Sequence, residues 1–474
     1  MKTTNTLILA AICTASVHAA TVERVIVRQQ WPWSTDIKVE YVLSDVSQPV
    51  DIAVRAFSGS TELDASKLAA ATKGARYGIS QGGAYSFTID PAEAFGTNTA
   101  VMTDFRVQIV PSNSPANINE VLYKVFDLDD GSCENITRAQ LLNGEKGAIE
   151  TDYSKIVSGF SHPLQDVLIW TGVTNDVAYK TSKLVMRKVS AKNVLWKIGS
   201  PANDWGRQQY AYPQNETQHD AMITHDYFIG VFEVTQAQYK KIQSSNPSYD
   251  KTAENADWRP VNQVSYTTMR GGRDESQNGE RICWPTNSYK HLAKSWSYCG
   301  KLRTLTHVDF DIPTEAEWEF ACRAGTTNTL YNGKDITGWN QQSRTTDIAW
   351  TTSNSPKSQV NNQYYEQHPV GLLKPNAFGL YDMLGNAEEQ CLDWCVADIS
   401  LGATDPLVDP DGGSTPPVKS DGTYKYARRA RGGCSSYQYF TARCAFRETS
   451  YWLDTAGSVY LGFRLTCPVG ATWE

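Results

Sequence analysis

The 474-residue chain has little of what marks a membrane, nucleic-acid or nucleotide protein. Beyond its N-terminus no stretch approaches about 18 consecutive apolar residues, so an internal membrane helix is excluded. Lys and Arg, 44 against 51 Asp and Glu, form no run, and the net charge is −7. A partner gripped by its phosphates would need a basic surface, so no nucleic-acid partner is expected. There is no phosphate loop, dinucleotide fingerprint, Gly-x-Ser-x-Gly elbow or His-Glu-x-x-His, and the chemistries that depend on them have no motif here. Histidine is scarce at seven residues, and His219 and His225 stand six apart. Charged residues are 20% against 41% hydrophobic, which excludes disorder and permits a packed core.

What the chain does have is aromatic residues and cysteine. Fourteen Trp and 24 Tyr read either as core and loop packing or as the lining of an aromatic cleft. Residues 1–20 read as a secretory signal peptide: Lys2, an apolar stretch from Leu7 to Cys13, then Val17-His18-Ala19, which fits the small-x-Ala cleavage pattern. The expected location is therefore exported: periplasmic, cell-surface or secreted. That compartment is oxidising. Cys13 leaves with the signal, and nine of ten cysteines remain. An odd number leaves at least one thiol free or paired between molecules.

Residues 21–112 are expected to form an all-β sandwich of immunoglobulin or fibronectin type. Ile37, Val39, Tyr41 and Leu43 recur at every second position, and similar alternation returns at Val50–Phe57, Tyr85–Ile89 and Phe105–Ile109. Short strands punctuated by Gly, Ser, Asp and Pro point to that architecture. Residues 113–180 show no clear period and are expected to connect it to 181–474, which is rich in Trp, Gly, Asn and Pro. Asp127-Leu-Asp-Asp-Gly131 falls one residue short of a calcium loop and lacks its distal Glu. Thr404–Tyr424 reads as an exposed loop with solvated carboxylates.

One helix announces itself. In Pro313-Thr314-Glu315-Ala316-Glu317 the Thr314 hydroxyl can accept the Glu317 N–H while the Glu317 side chain reaches back. Glu315 and Glu317 also suit the positive helix end. Trp318 and Cys322, four apart, share a face, which turns Cys322 inward.

Around this helix the sequence resembles the formylglycine-generating enzyme, or sulfatase-modifying factor, family. The residues that carry the resemblance are Phe310-Asp-Ile-Pro-Thr-Glu-Ala-Glu-Trp-Glu-Phe-Ala-Cys-Arg-Ala-Gly325, Glu233-Val-Thr235 with Tyr239, Arg259-Pro-Val261 with Val264-Ser265, Pro375–Asn386, and finally Arg431-Gly-Gly433 and Gly462-Phe-Arg464. The blocks keep the family's order and cover about 181–467. The implied fold is an α+β variant of the C-type lectin fold with little regular secondary structure.

The resemblance also implies site residues. The positions matching Asp382, Gly385, Ala387 and Glu389 would hold one calcium. Calcium accepts such mixtures of carboxylate and backbone oxygens. A second family calcium site would fall near 348–364, where Ile348 and Asn362 depart from its pattern. The enzyme oxidises a substrate cysteine with O2 at copper held by two cysteines five apart, and soft thiolates suit Cu(I). That pair has no counterpart here, so copper is not expected. The family disulfides imply Cys322–Cys444 and Cys299–Cys467. Cys434 stands where the family has Ser and is the sole catalytic candidate, and Glu388 and Gln390 replace two Trp of the family cleft. The pairing of Cys133, Cys283, Cys391, Cys395 and Cys434 stays open.

Two functions compete. One is an exported, non-catalytic binding module for a protein or glycan ligand. The other is a metal-dependent oxidoreductase of the formylglycine-generating type with an altered site.

Overall fold

The structure, a computed structural model, describes residues 20–29, 34–96, 104–209, 213–271, 293–357, 365–413, 418, 427–448 and 454–470. The signal peptide expected at 1–20 lies outside the described residues except for Ala20, and Cys283 and Asn362 lie outside them too. The chain forms two compact units, one of residues 1–122 with 136–149 and one of 123–135 with 150–474.

The first unit is built from seven strands: β1 Thr21–Gln29, β2 Ile37–Ser44, β3 Val50–Ser58, β4 Thr61–Glu62, β5 Thr72–Gly74, β6 Gly83–Ile89 and β7 Phe105–Asn113. They make two antiparallel sheets, ordered β1-β2-β6-β5 and β4-β3-β7. Period-2 alternation puts Val39, Tyr41, Leu43, Ile52, Phe87, Ile89, Val107 and Ile109 into one wholly apolar core. Each such side chain is worth roughly 1.5–3 kcal/mol of burial. The four expected strands are β2, β3, β6 and β7. β1 escapes alternation because a register shift between Val22 and Arg24 breaks its period.

The segment 113–180 is no connector. It is shared between the units, and its first element, β8 Val121–Asp127, pairs antiparallel with β10 Lys183–Val189. Leu122, Tyr123, Val125 and Phe126 are all buried, so both faces of β8 are apolar and no period shows. β9 Cys133–Thr137 adjoins β8. Between them Asp127 and Asp130 accept the backbone N–H groups of Asp129 and Ser132, as in an ordinary Asx turn.

The second unit adds β11 Val194–Ile198, β12 His219–Ile223, β13 Tyr227–Gly230, β14 Ala349–Trp350, β15 Leu384–Gly385, β16 Glu388–Trp394, β17 Leu407–Val408, β18 Arg428–Arg431, β19 Leu461–Gly462 and β20 Thr466–Pro468. Its sheets are small: β20-β13-β10-β8-β9, β11-β12-β17, β18-β16-β19 and β14-β15. No helix among the described residues exceeds nine residues, and none is long and apolar enough to cross a membrane. The loop expected to be free at 404–424 is tied down where it is described. Asp405 contacts the His219 ring at 3.0 Å and accepts the Asp220 N–H, Asp409 accepts from Thr224, and β17 pairs with β12.

Candidate functional site

The helix Glu315–Arg323 is buried along its entire length. Its capping box forms as expected, with the Glu317 N–H donating to Thr314 Oγ1 at 3.2 Å and the Thr314 N–H to Glu317 Oε2 at 3.0 Å. The three glutamates do more than complement a helix dipole. Glu315 accepts from Arg447 at 2.6 and 3.1 Å and lies 3.2 Å from Arg429. Glu319 accepts from Arg323 at 2.7 and 2.9 Å, from the Gly199 N–H at 2.8 Å and from Arg431. Glu317 meets His225 at 2.9 Å. Burial pulls the His225 pKa down, but the hydrogen bond and charge of Glu317 outweigh it and hold it up. Charges this deep require partners, and the motif residues of the sequence supply them. Arg428-Arg429-Ala430-Arg431, the densest basic cluster, is spent inside the protein.

The calcium expectation meets the same economy. Asp382 sits at φ +55°, accepts the Gly371 N–H at 2.7 Å through Oδ2, and leaves a buried Oδ1 without a hydrogen-bond partner among the described residues. Burial raises its pKa to about 6 against the pull of the Gly371 N–H and Arg464. That oxygen would suit a cation. Glu389 does not: Arg464 donates to it at 2.7–3.0 Å, and Trp318 Nε1 at 2.6 Å. Gly385 is glycine for a steric reason, because at φ +75° a Cβ would lie 2.2 Å from the Trp350 carbonyl oxygen. The Ala387 N–H donates to Glu233. Asp382, Gly385, Ala387 and Glu389 are thus neighbours, and of their carboxylate oxygens Asp382 Oδ1 is the one left open among the described residues. Ile348, at the second expected site, is core.

The structure brings Cys322 and Cys444 together as hydrogen-bonded, fully buried thiols; burial, and then the Cys444 contact, hold Cys322 well above the usual thiol range. It gives Cys299 and Cys467 different company. Cys299 faces Asp311, Arg303 and Arg270, whereas Cys467 faces Lys124 and Cys133. Cys467, on β20, comes two residues later than the family position, and its neighbour Thr466 pairs with Asp311. Cys434 is buried, and its pKa is raised first by that burial and then by the charge of Glu388. Among the described residues no three His, Cys, Asp or Glu side chains converge on a metal position.

Beside Cys434 the interior carries polar side chains where the resemblance implies Trp. Glu388 and Gln390 lie on β16, all of whose residues are buried. Neither amide atom of Gln390 has a hydrogen-bond partner among the described residues, an arrangement that costs about 1–3 kcal/mol. Pure packing would select an apolar residue there. Sequence reading noted both substitutions and placed Glu233 in a motif block without giving it a role; its carboxylate accepts from Asn386 Nδ2 at 2.7 Å and the Ala387 N–H at 2.9 Å and so holds the adjoining turn.

Comparison with known proteins agrees with this architecture. Residues 186–467 match the family described as sulfatase-modifying factor enzyme 1-like domain. Chaperone protein LppX of Paenibacillus barcinonensis is 28% identical over 193 residues, 36% of this chain and 62% of that protein. Serine/threonine-protein kinase pkn1 of Chlamydia pneumoniae is 26% identical over 64% of this chain and 42% of its own length. The formylglycine-generating enzyme of Thermomonospora curvata is 29% identical over 32% of this chain and 48% of its own. The chain therefore spans less than two thirds of each of these relatives. Among solved structures, Treponema denticola variable protein 1 aligns with TM-score 0.42 and 22% identity over 60% of this chain and 96% of its own.

Proposed function

Because the chain belongs to the sulfatase-modifying factor enzyme 1-like domain family, we propose that it is an exported binding protein whose family domain has lost the copper–thiolate oxidase chemistry. One observation carries this reading. The two sulfurs in contact, Cys322 and Cys444, are both 0% exposed, and Cys434 neighbours a carboxylate instead of a second thiol. A copper oxidase acting on a cysteine needs two thiolates with room for a third sulfur, from substrate. A buried thiol with a raised pKa, as at Cys322 and Cys434, is a poor nucleophile and a poor ligand. Glu388 and Gln390, both fully buried where the resemblance implies Trp, point the same way, since they replace apolar bulk of the family's oxidase site.

The test is direct. Copper-loaded, aerobic protein is incubated with a Cys-x-Pro-x-Arg peptide and the peptide mass followed. No formylglycine product is expected, and its appearance would refute the reading. The oxidoreductase alternative draws on the Cys322–Cys444 contact alone. Non-reducing peptide mapping decides it: a Cys322–Cys444 disulfide makes the pair structural, while reduced thiols with stoichiometric copper would favour an enzyme. A calcium titration of Asp382→Asn beside the native protein reads whether the one open carboxylate oxygen recruits a cation.

A further inference from the structure

Away from Cys434 and β16, the second unit opens a cleft of about 520 Å³, within the range of about 300–1,000 Å³ usual for small-ligand sites. Residues 199–205 and 327–337 supply most of its wall. Its chemistry is narrow. Two guanidinium groups reach it, Arg323 and Arg443, and both are neutralised from behind. Arg323 pairs with Glu319 at 2.7 Å, and Arg443 with Glu216 through two bonds of 2.7 Å. Two carboxylates reach it, and both are occupied. Asp204 accepts the Arg207 N–H at 2.8 Å and the Thr329 hydroxyl at 2.9 Å. Asp335 accepts the Thr329 N–H at 2.8 Å and Asn328 Nδ2 at 3.0 Å. Neither an anion nor a metal ion finds an uncommitted opposite charge here.

What else the cleft offers is neutral. Asn203, Gln208 and Thr327 line it from exposed positions, presenting amides and a hydroxyl, with Gln208 Nε2 also donating to the Ala202 carbonyl at 3.1 Å. Trp205 supplies an aromatic wall. The Trp339 ring meets Trp205 edge-to-face at 4.8 Å, Phe440 braces both at 6.3 and 5.7 Å, and Trp339 remains 58% exposed. A tryptophan that is held by two rings yet open to water is a prepared platform. Flat apolar faces edged by hydroxyls are the shape and chemistry of a pyranose ring. Its C–H face would lie on an indole, and its hydroxyls would exchange water for Asn203, Gln208 and Thr327.

We propose that this cleft binds a neutral glycan, with Trp339 and Trp205 as the stacking surface. The proposal deepens the binding-module reading and rests on it only in treating the ligand as retained, not converted. Peptide conversion tests that reading and glycan titration tests this one, so either can fail alone. The full-length protein is titrated with cellohexaose, chitohexaose, maltohexaose and laminarihexaose while tryptophan fluorescence is followed, with a decamer of proline as the competing peptide chemistry. At least one hexasaccharide is expected to shift the emission saturably. Trp339→Ala should weaken it by about tenfold, and Asn203→Ala by about threefold. Val177→Ser, at an exposed residue outside the cleft lining, should leave it unchanged. Circular dichroism checks that the exposed-site variants keep their fold. Four silent titrations, binding indifferent to Trp339→Ala, or saturation by oligoproline in place of the sugars would each overturn the proposal.

Discussion

The two units bury their interiors by opposite means. The first closes two antiparallel sheets on an apolar core, with the buried Arg76 donating to the Thr72 carbonyl. The second buries Arg428, Arg429, Arg431, Arg443 and Arg464 almost completely and pairs its guanidiniums with Glu216, Glu315, Glu319 and Glu389. Strands can satisfy their backbone through sheet ladders, whereas a loop-rich unit cannot. Long arginine side chains that donate to carbonyls as well as carboxylates fill that deficit. Arg447 reaches the Ala397 carbonyl, and Arg464 those of Gly230 and Tyr381. Loops can thus be held rigid without regular structure, provided every charge keeps its partner.

The sharpest way to break the contrast is Glu319→Ala. It strands Arg431 and Arg323 in the interior and should cost about 3–5 kcal/mol, read as an early first transition in urea for the second unit alone. Replacing Glu319 and Arg431 together with Leu and Met should recover only the share due to Arg431, because Arg323 still lacks its carboxylate. A transition unchanged by Glu319→Ala would show that the network is not what holds the loops.

Acid should separate the units next. His368 stacks on Trp350 at 3.7 Å, and burial, then the Arg259 charge, pulls its pKa down to about 4. The fold therefore favours the neutral ring. That contribution is complete above the ordinary value near 6.5 and disappears as pH falls through about 4, a loss of about 3 kcal/mol. His368→Phe should keep the stack and flatten this slope. The described residues of the first unit contain no histidine, so its stability should stay level over the same window.

Thr314→Ala removes the cap of the central helix and should cost about 1 kcal/mol in thermal unfolding. The smallest effect is expected from Arg55→Ala. Its pair with Glu62, though close at 2.6 Å, is exposed on both sides, and no measurable change in the melting of the first unit should follow.

Much of this was legible in the chain. The alternation in β2, β3, β6 and β7 reported the sandwich because side-chain direction in a strand is local. The box at Thr314 and Glu317 reported the central helix, and the inward turn of Cys322 followed from helical spacing. Long-range pairing was not legible. Nothing near Glu389 in the chain announced that Arg464 donates to both its oxygens. Asp405 keeps the exposure expected of it, but its contacts with His219 and the Asp220 N–H needed the fold.

By itself the sequence determined the elements whose signals lie within a few residues: alternating strands, the capped helix, and the ordered motif blocks that mark the family. Only the tertiary structure decided which buried charge answers which, which thiols touch, and that Trp205, a wall of the cleft, packs against Trp339 and Phe440. Most of those contacts join residues far apart in the chain, and a charge's fate is set by whatever the fold lays against it.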